Sequence, residues 1–183
     1  DPLIGYYSGT GDKGKAVITF YHPLTAIIFK TGSLGDEKYK ITGIRSVKLK
    51  GAYKTGTATI AGGATEPSFS WSGSESVEVV GAFSGTQSAR PFLLIPQNLT
   101  TDKISLEVTV SRSEGGDKVM YASLNQGVLV AGKIHIYTLD YVNDKMEATL
   151  TVTLEDWGKV MNTIKDPDTG NDTEVDYFNA TFN

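Results

Sequence analysis

Few side chains in this sequence can act as acids, bases, nucleophiles or metal ligands, and their spacing gives catalysis little support. There are two histidines, His22 and His135, and no cysteine. A structural or catalytic zinc site draws several nitrogen, sulfur or carboxylate ligands from recurring separations, and neither histidine has a second one at such a separation. His22 precedes Pro23, and His135 sits between Ile134 and Ile136, on the face opposite to them if the stretch is extended. Both read as surface or sheet-packed residues. A Gly-x-Ser-x-Gly nucleophile elbow is absent. Gly9-Thr-Gly11 and Gly62-Gly63 lack the Gly-Lys-Ser/Thr and helix that would cradle a phosphate, so they read as turns.

Two carboxylates flanking a sugar bond could make a glycosidase. The candidate pairs are Glu75 with Glu78 and Glu155 with Asp156. Glu147 and Glu155 fall on the outward side of a threonine-rich run, which is the pattern of a solvated face. The loop Asp166-Pro-Asp168-Thr-Gly170-Asn171-Asp172 partly matches a calcium loop. However, glycine stands fifth instead of sixth, and the twelfth position is Tyr177 instead of glutamate. It reads as a solvated acidic turn. Trp71, Trp157 and the tyrosines could offer a sugar-stacking platform, but aromatics more often pack a core or a sheet edge, and Trp71 alternates with Phe69 as core residues do. Asn98-Leu-Thr100, Asn171-Asp-Thr173 and Asn179-Ala-Thr181 match the glycosylation triplet, which is common by chance. The chemistry-bearing residues therefore imply no catalytic residue, no cofactor and no metal.

The elements that would position these groups are strands. The 183-residue length suits one large β domain or two small ones, and a globule of this size buries roughly 70% of its unfolded surface without a staple. Net charge is −4, and the three arginines, Arg45, Arg90 and Arg112, are scattered. Nucleic-acid binding needs a clustered basic face, so nucleic acid is excluded as a partner. No run approaches the roughly 20 apolar residues of a membrane helix, and the start, Asp1 to Gly5, shows no signal-peptide pattern.

The dominant hydrophobic period is two. In Met146–Trp157, Met146, Ala148, Leu150, Val152 and Leu154 alternate with Glu147, Thr149, Thr151, Thr153 and Glu155. A strand puts neighbours on opposite faces, so one side should be buried and the other wet. Lys103–Ser111 repeats the pattern. Further strands are expected at 15–21, 25–30, 41–50, 57–60, 68–72, 76–80, 91–96, 118–124 and 133–141. Turns are expected at Gly32–Asp36, Gly62-Gly63, Ser72-Gly73-Ser74, Glu114–Asp117 and Val142–Lys145. A short helical turn is expected within Asp156–Ile164. Pro91–Pro96 is apolar on both faces and closed by prolines, which predicts a strand buried on both sides that crosses between sheets. This pattern, without interleaved helices, predicts an all-β antiparallel sandwich.

After Trp157 the composition shifts. Residues 165–176 read as an exposed acidic loop, and 175–183 regains strand character. Val175 and Tyr177 share one face, while Phe178, Ala180 and Phe182 share the next. Leaving such aromatics in water is costly, so this segment should dock on its own domain or reach into a neighbour. It is the candidate strand-exchange segment.

Several pieces in order resemble one family. They are Asp1-Pro-Leu-Ile-Gly-Tyr-Tyr, Val17 to Lys30, Ile44-Arg-Ser-Val-Lys-Leu-Lys-Gly51, Phe92-Leu-Leu-Ile-Pro-Gln97, Ala131 to Leu139 and Leu154-Glu-Asp-Trp157. Together they resemble the fimbrillin-like proteins of Bacteroidales, the pilin family, in the later part of a subunit. The resemblance implies a transthyretin-like β-sandwich with Greek-key connections at residues 1–157, and a C-terminal extension at 158–183 holding a terminal strand. It implies a non-enzymatic cell-surface fimbrial subunit or adhesin at the outer membrane. Such subunits assemble by strand addition, after proteolysis behind an arginine has opened a groove. The implied partners are other pilus subunits, or ligands on host or bacterial surfaces. A preceding domain and a lipid-bearing cysteine, both typical of such proteins, are not in this chain, so anchoring would rest on a region outside it. The alternative from another class is a glycan-binding module of a polysaccharide-uptake system. A third is a hydrolase using Glu78 and Glu155.

Overall fold

The computed structural model describes residues 3–7, 16–35, 38–61, 68–143, 145–156, 162–165, 172–175 and 179–182. Fourteen strands run along them: β1 (Ile4–Tyr7), β2 (Ala16–Tyr21), β3 (Thr25–Thr31), β4 (Ile41–Ala61), β5 (Ser68–Ser84), β6 (Gln87–Ser88), β7 (Phe92–Leu94), β8 (Ile104–Arg112), β9 (Lys118–Leu124), β10 (Lys133–Val142), β11 (Lys145–Asp156), β12 (Asn162–Lys165), β13 (Asp172–Val175) and β14 (Asn179–Phe182). The expected all-β antiparallel sandwich is present. One layer is β11-β10-β3 with β7 on β3, the other is β5-β4-β8-β9, and the two-residue β6 bridges β3 to β5. Every ladder is antiparallel except β3 with β10, which runs parallel from Ala26↔Ile134 to Thr31↔Leu139.

The core lies where the alternating rows meet. Ile104, Leu106, Val108 and Val110 of β8 are fully buried, opposite Phe29, Tyr137 and Leu139 from the other layer. Phe29 and Phe92 meet edge to face, their ring centres 5.5 Å apart. The inward row of β4 is Ile44, Val47, Leu49 and Ala52, an uneven spacing that alternation alone does not give. Register shifts between Ile44 and Ser46 and between Lys50 and Ala52 supply the extra residues. A bulge puts two residues opposite one, so the apolar set stays on one face. At the second shift Gly51 has φ +98°, and a Cβ there would lie 2.7 Å from the Lys103 carbonyl oxygen.

This bulge is held by the buried Gln97. Its Nε2 donates to the carbonyls of Gly51 (3.3 Å) and Asp102 (2.8 Å), and its Oε1 accepts from the Tyr53 N–H (3.2 Å). Its own carbonyl accepts from the Leu129 N–H. One residue thus ties the end of the core part of β4 to the entry of β8 through its side-chain amide, and to the loop before β10 through its backbone carbonyl.

The expected turn at Ser72-Gly73-Ser74 is corrected. β5 runs straight through it, and the two predicted strands at 68–72 and 76–80 are one. Gly73 pairs with Gly56 of β4, and the Tyr53 ring lies where a Gly73 side chain would be, so the glycine makes room for an aromatic instead of bending the chain. Beyond Ala52 and Val77 the two strands continue as a ribbon. One side carries Thr55, Thr57, Thr59, Ser70, Ser72 and Ser74, all exposed. On the other side the Trp71 indole donates to the Pro23 carbonyl at 2.8 Å, and Phe69 contacts Tyr21. The expectation for Pro91–Pro96 also changes. Phe92 and Leu94 are buried, but Leu93 is 39% exposed, because β7 pairs only with β3 and its outer face meets solvent. The expected helical turn is not found at Asn162–Ile164, which belong to β12; residues 157–161, with Trp157, lie outside the described residues. Gly9, Gly11 and Gly62-Gly63 lie outside them too.

Gln97→Leu keeps the volume but leaves two buried carbonyls and one N–H unmet. Unmet groups cost about 1–3 kcal/mol each in burial, so urea unfolding should show a loss of roughly 3 kcal/mol. Gly51→Ala should cost roughly 2 kcal/mol through its left-handed backbone and the Lys103 oxygen. Gly43→Ala, with open space around it, should change the unfolding midpoint little.

Candidate functional site

The sandwich is bridged on one side by β6 and left unjoined on the other. Among the described residues, β9 is hydrogen-bonded only to β8, and β11 only to β10. Each presents an edge, and the two edges flank a groove of about 830 Å³ lined by residues from Lys118 to Ser123 and from Lys145 to Thr149. The inward residues of β9 are Met120, Ala122 and Leu124. Those of β11 are Met146 (4% exposed), Ala148 (partly buried) and Leu150 (43% exposed). The rows that elsewhere carry Val, Leu and Ile carry alanines here. Along the part of β11 whose burial is described, the inward face expected from alternation is buried at Met146 and increasingly exposed by Leu150.

One end of the groove is cationic and aromatic. The Lys118 ammonium lies 3.4 Å from the centre of the Tyr39 ring, with Lys38 at 5.1 Å. Tyr39 meets Tyr141 edge to face. The hydrogen bond to Lys118, then the positive charges of Lys118 and Lys38, hold the Tyr39 hydroxyl below its ordinary value. Lys145 belongs to the same end, since it pairs with Val142 next to Tyr141. The other end is lined by the polar side chains of Asn125 and Gln126. The sequence reading did not pick out this groove. Its signal was the alanine in each of two otherwise bulky alternating rows, which points nowhere until the strands are known to be neighbours.

The candidate strand-exchange residues are distributed between two small sheets. Val175 ends β13, opposite Asn162 of β12. Ala180 and Phe182 are in β14, their backbones opposite Ile18 and Ala16 of β2. Tyr177 and Phe178 lie outside the described residues, as do residues 166–171 of the acidic loop.

The candidate acids are placed as follows. Glu75 pairs with Lys54 at 3.4 Å. Glu78 and Glu107 form a cross-strand ladder with Lys48 and Lys50 over β5, β4 and β8. Lys48 lies 3.6 Å from Glu78 and 3.3 Å from Glu107, while Lys50 lies 3.4 Å from Glu78 and closer still to Glu107. Hydrogen bonding from Lys50 pulls Glu107 below the ordinary carboxylate range. Glu75 and Glu78 are thus engaged with lysines, while Glu155 and Asp156 sit in β11. Among the described residues no group of three histidines or acids is close enough to hold a metal. His135 is 2% exposed, on the same side of β10 as Tyr137, and its Nε2 accepts the Val130 N–H at 3.3 Å. Burial lowers its pKa from 6.5 and pushes the Tyr137 hydroxyl up to about 12. His22 is half-buried and likewise lowered by desolvation.

These features describe a β-sandwich with two edge strands side by side. Residues 7–157 match the family model described as fimbrillin-like. The chain belongs to the fimbrillin-like family. The curated proteins contain no match to it. Among solved structures, a "putative cell adhesion protein" from Bacteroides uniformis is 18% identical with a TM-score of 0.53, covering 76% of this chain and 52% of its own. A second, from Bacteroides ovatus, is 18% identical with a TM-score of 0.47, covering 85% and 60%. The fimbrillin-like chain thus spans about half to three-fifths of those proteins, and the likeness to the first is one of fold.

The buried histidine generates a test. A folded pKa below the unfolded value means that the unfolded chain takes up the proton first. Stability is then fully present above about pH 6.5 and falls as pH drops from there towards the folded pKa. His135→Gln keeps an acceptor for Val130 but cannot titrate. Thermal melts from pH 7.5 to 5 should show a smaller loss in this variant than in the parent, with His22→Gln accounting for the second histidine.

Proposed function

We propose that this fimbrillin-like chain is a non-catalytic subunit of a cell-surface pilus or adhesin that assembles by strand addition. In this reading residues 1–157 form the sandwich domain and 158–183 an extension that donates a strand. Family membership supports the structural role, and the cell-adhesion description of the Bacteroides uniformis protein with the related fold agrees with it. The single observation that carries the strand-addition part is the pair of unpaired edges, β9 and β11, on one side of the sandwich. An exposed edge offers backbone donors and acceptors that another strand can meet. The donated segment contains Val175, Tyr177, Phe178, Ala180 and Phe182, whose alternating apolar side chains are those of a half-buried strand. The partners are further subunits or surface ligands, and the place of action is the outside of the cell, at the outer membrane.

The full chain should form high-molecular-weight species in sedimentation velocity and electron microscopy, and deleting residues 172–183 should abolish them while the sandwich still unfolds cooperatively. Unchanged solubility, stability and assembly in that variant would remove the donated-strand reading.

A further inference from the structure

We infer that the groove between β9 and β11 holds a sparsely charged acidic glycan, with a hexuronate carboxylate at its lysine end. The inference rests on the surface-ligand part of the proposed function and names the chemical class of that ligand. Strand addition would fill the same groove, so the glycan is met by a subunit whose edges are still unpaired.

The cations are set for an anion from outside. Among the described residues, the Lys118 ammonium meets the Tyr39 ring at 3.4 Å and no carboxylate. The acids close to it in sequence are engaged elsewhere, Glu114 with Lys40 at 2.6 Å and Asp117 with Arg45 at 3.1 Å. Lys145, at the start of β11 on the opposite wall, is exposed. Two ammonium groups at one end can share a carboxylate, and hydrogen bonds between ions are roughly twice as strong as neutral ones. Tyr39 already holds Lys118 in place, so less side-chain freedom is lost when a ligand arrives.

The rest of the lining suits a sugar. Tyr121 is 69% exposed on the same strand as Lys118, and an open aromatic ring offers an apolar face with a polar tip, which suits the C–H side of a pyranose. The amides of Asn125 and Gln126 at the far end, with the hydroxyls of Ser123 and Thr149, supply donors and acceptors for sugar hydroxyls. At about 3.3 Å per residue the β9 wall is roughly 20 Å long, and the groove volume of about 830 Å³ lies in the range of small-ligand sites. A lone anion would leave most of that space unfilled, whereas a short oligosaccharide occupies it. Glu147 is the one acid among the described lining residues, and it limits the charge density of the ligand. A chain charged on every ring would press a like charge against Glu147. A chain whose uronates alternate with neutral sugars sets a carboxylate at the lysines and an uncharged ring beside Glu147.

The test is calorimetric titration of the full chain, at concentrations where sedimentation shows a monomer. The probe is a hyaluronan tetrasaccharide, in which uronates alternate with neutral sugars. Saturable binding is expected, weakening as salt rises. Binding should be roughly tenfold weaker for Lys118→Gln/Lys145→Gln and for the carboxyl-reduced tetrasaccharide, and weaker also for Tyr121→Ala. Lys145→Gln alone, at an exposed position, should keep the thermal midpoint of the parent and still weaken binding. The inference is overturned by no saturable binding to the parent chain, by equal binding of the carboxyl-reduced sugar, or by equal binding to the lysine variants. It is also overturned by tighter binding of a heparin tetrasaccharide or of a glutamate-rich peptide, which would assign the lysines to a dense polyanion or to a peptide. Polymers lost on tail deletion, with no binding of the sugar, remove this ligand and leave strand addition standing. Polymers unchanged after tail deletion, with the sugar bound as expected, support the ligand and remove strand addition.

Discussion

The layers of this protein depend on one buried amide. Gln97 meets the Gly51 and Asp102 carbonyls and the Tyr53 N–H at the point where β4 changes parity. A bulge leaves backbone groups without ladder partners, and inside a protein these must be met by something. Because Gln97 meets them, β4 can keep Ile44, Val47, Leu49 and Ala52 on the core side despite their irregular spacing. The same residue accepts the Leu129 N–H. Leu129 is itself fully buried, and the loop that carries it presents the Val130 N–H to His135. Gln97, the Leu129 and Val130 N–H groups and His135 thus form a short chain of satisfied groups at the starts of β8 and β10.

With the layers placed, the two sides of the sandwich differ. On one side β6 passes from β3 to β5 and continues the hydrogen bonding between layers. On the other, β9 and β11 come close without forming a ladder. Closing a sheet abolishes edges, and leaving it open preserves them. The small side chains along the open side and the lysines at its mouth are consistent with a surface kept from pairing at random. The outer face of the β5-β4-β8 layer is treated differently, with Lys48, Lys50, Glu78 and Glu107 paired across three strands. Exposed pairs of this kind contribute little to stability; they keep a broad sheet face wet.

Much of the strand inventory was legible because alternation is a local signal. Lys118–Leu124 was read with its observed limits, and Thr25, Ile41 and Lys133 were placed as strand starts. The misreadings share a cause. Glycine reads as punctuation at Ser72-Gly73-Ser74, yet there it provides space for the Tyr53 ring across the ladder. Leu93 reads as buried because its neighbours are apolar, yet among the described residues its strand pairs with β3 alone and Leu93 faces solvent. In each case the deciding atom comes from a segment distant in sequence.

The residues alone determined the class: alternating rows, turn residues between them, no thiol and no histidine pair yield a β-sandwich without an evident reaction centre. Composition also marked the acidic and aromatic tail as something that must be covered. Only the tertiary structure decided that β9 and β11 stand beside each other, that Ala122 and Ala148 leave a shared gap, and that Lys118 and Lys145 share one end of it. Alternation reports which way a side chain points within its own strand. Which edges become neighbours depends on the order of strands in space, and that order follows from packing the whole core at once.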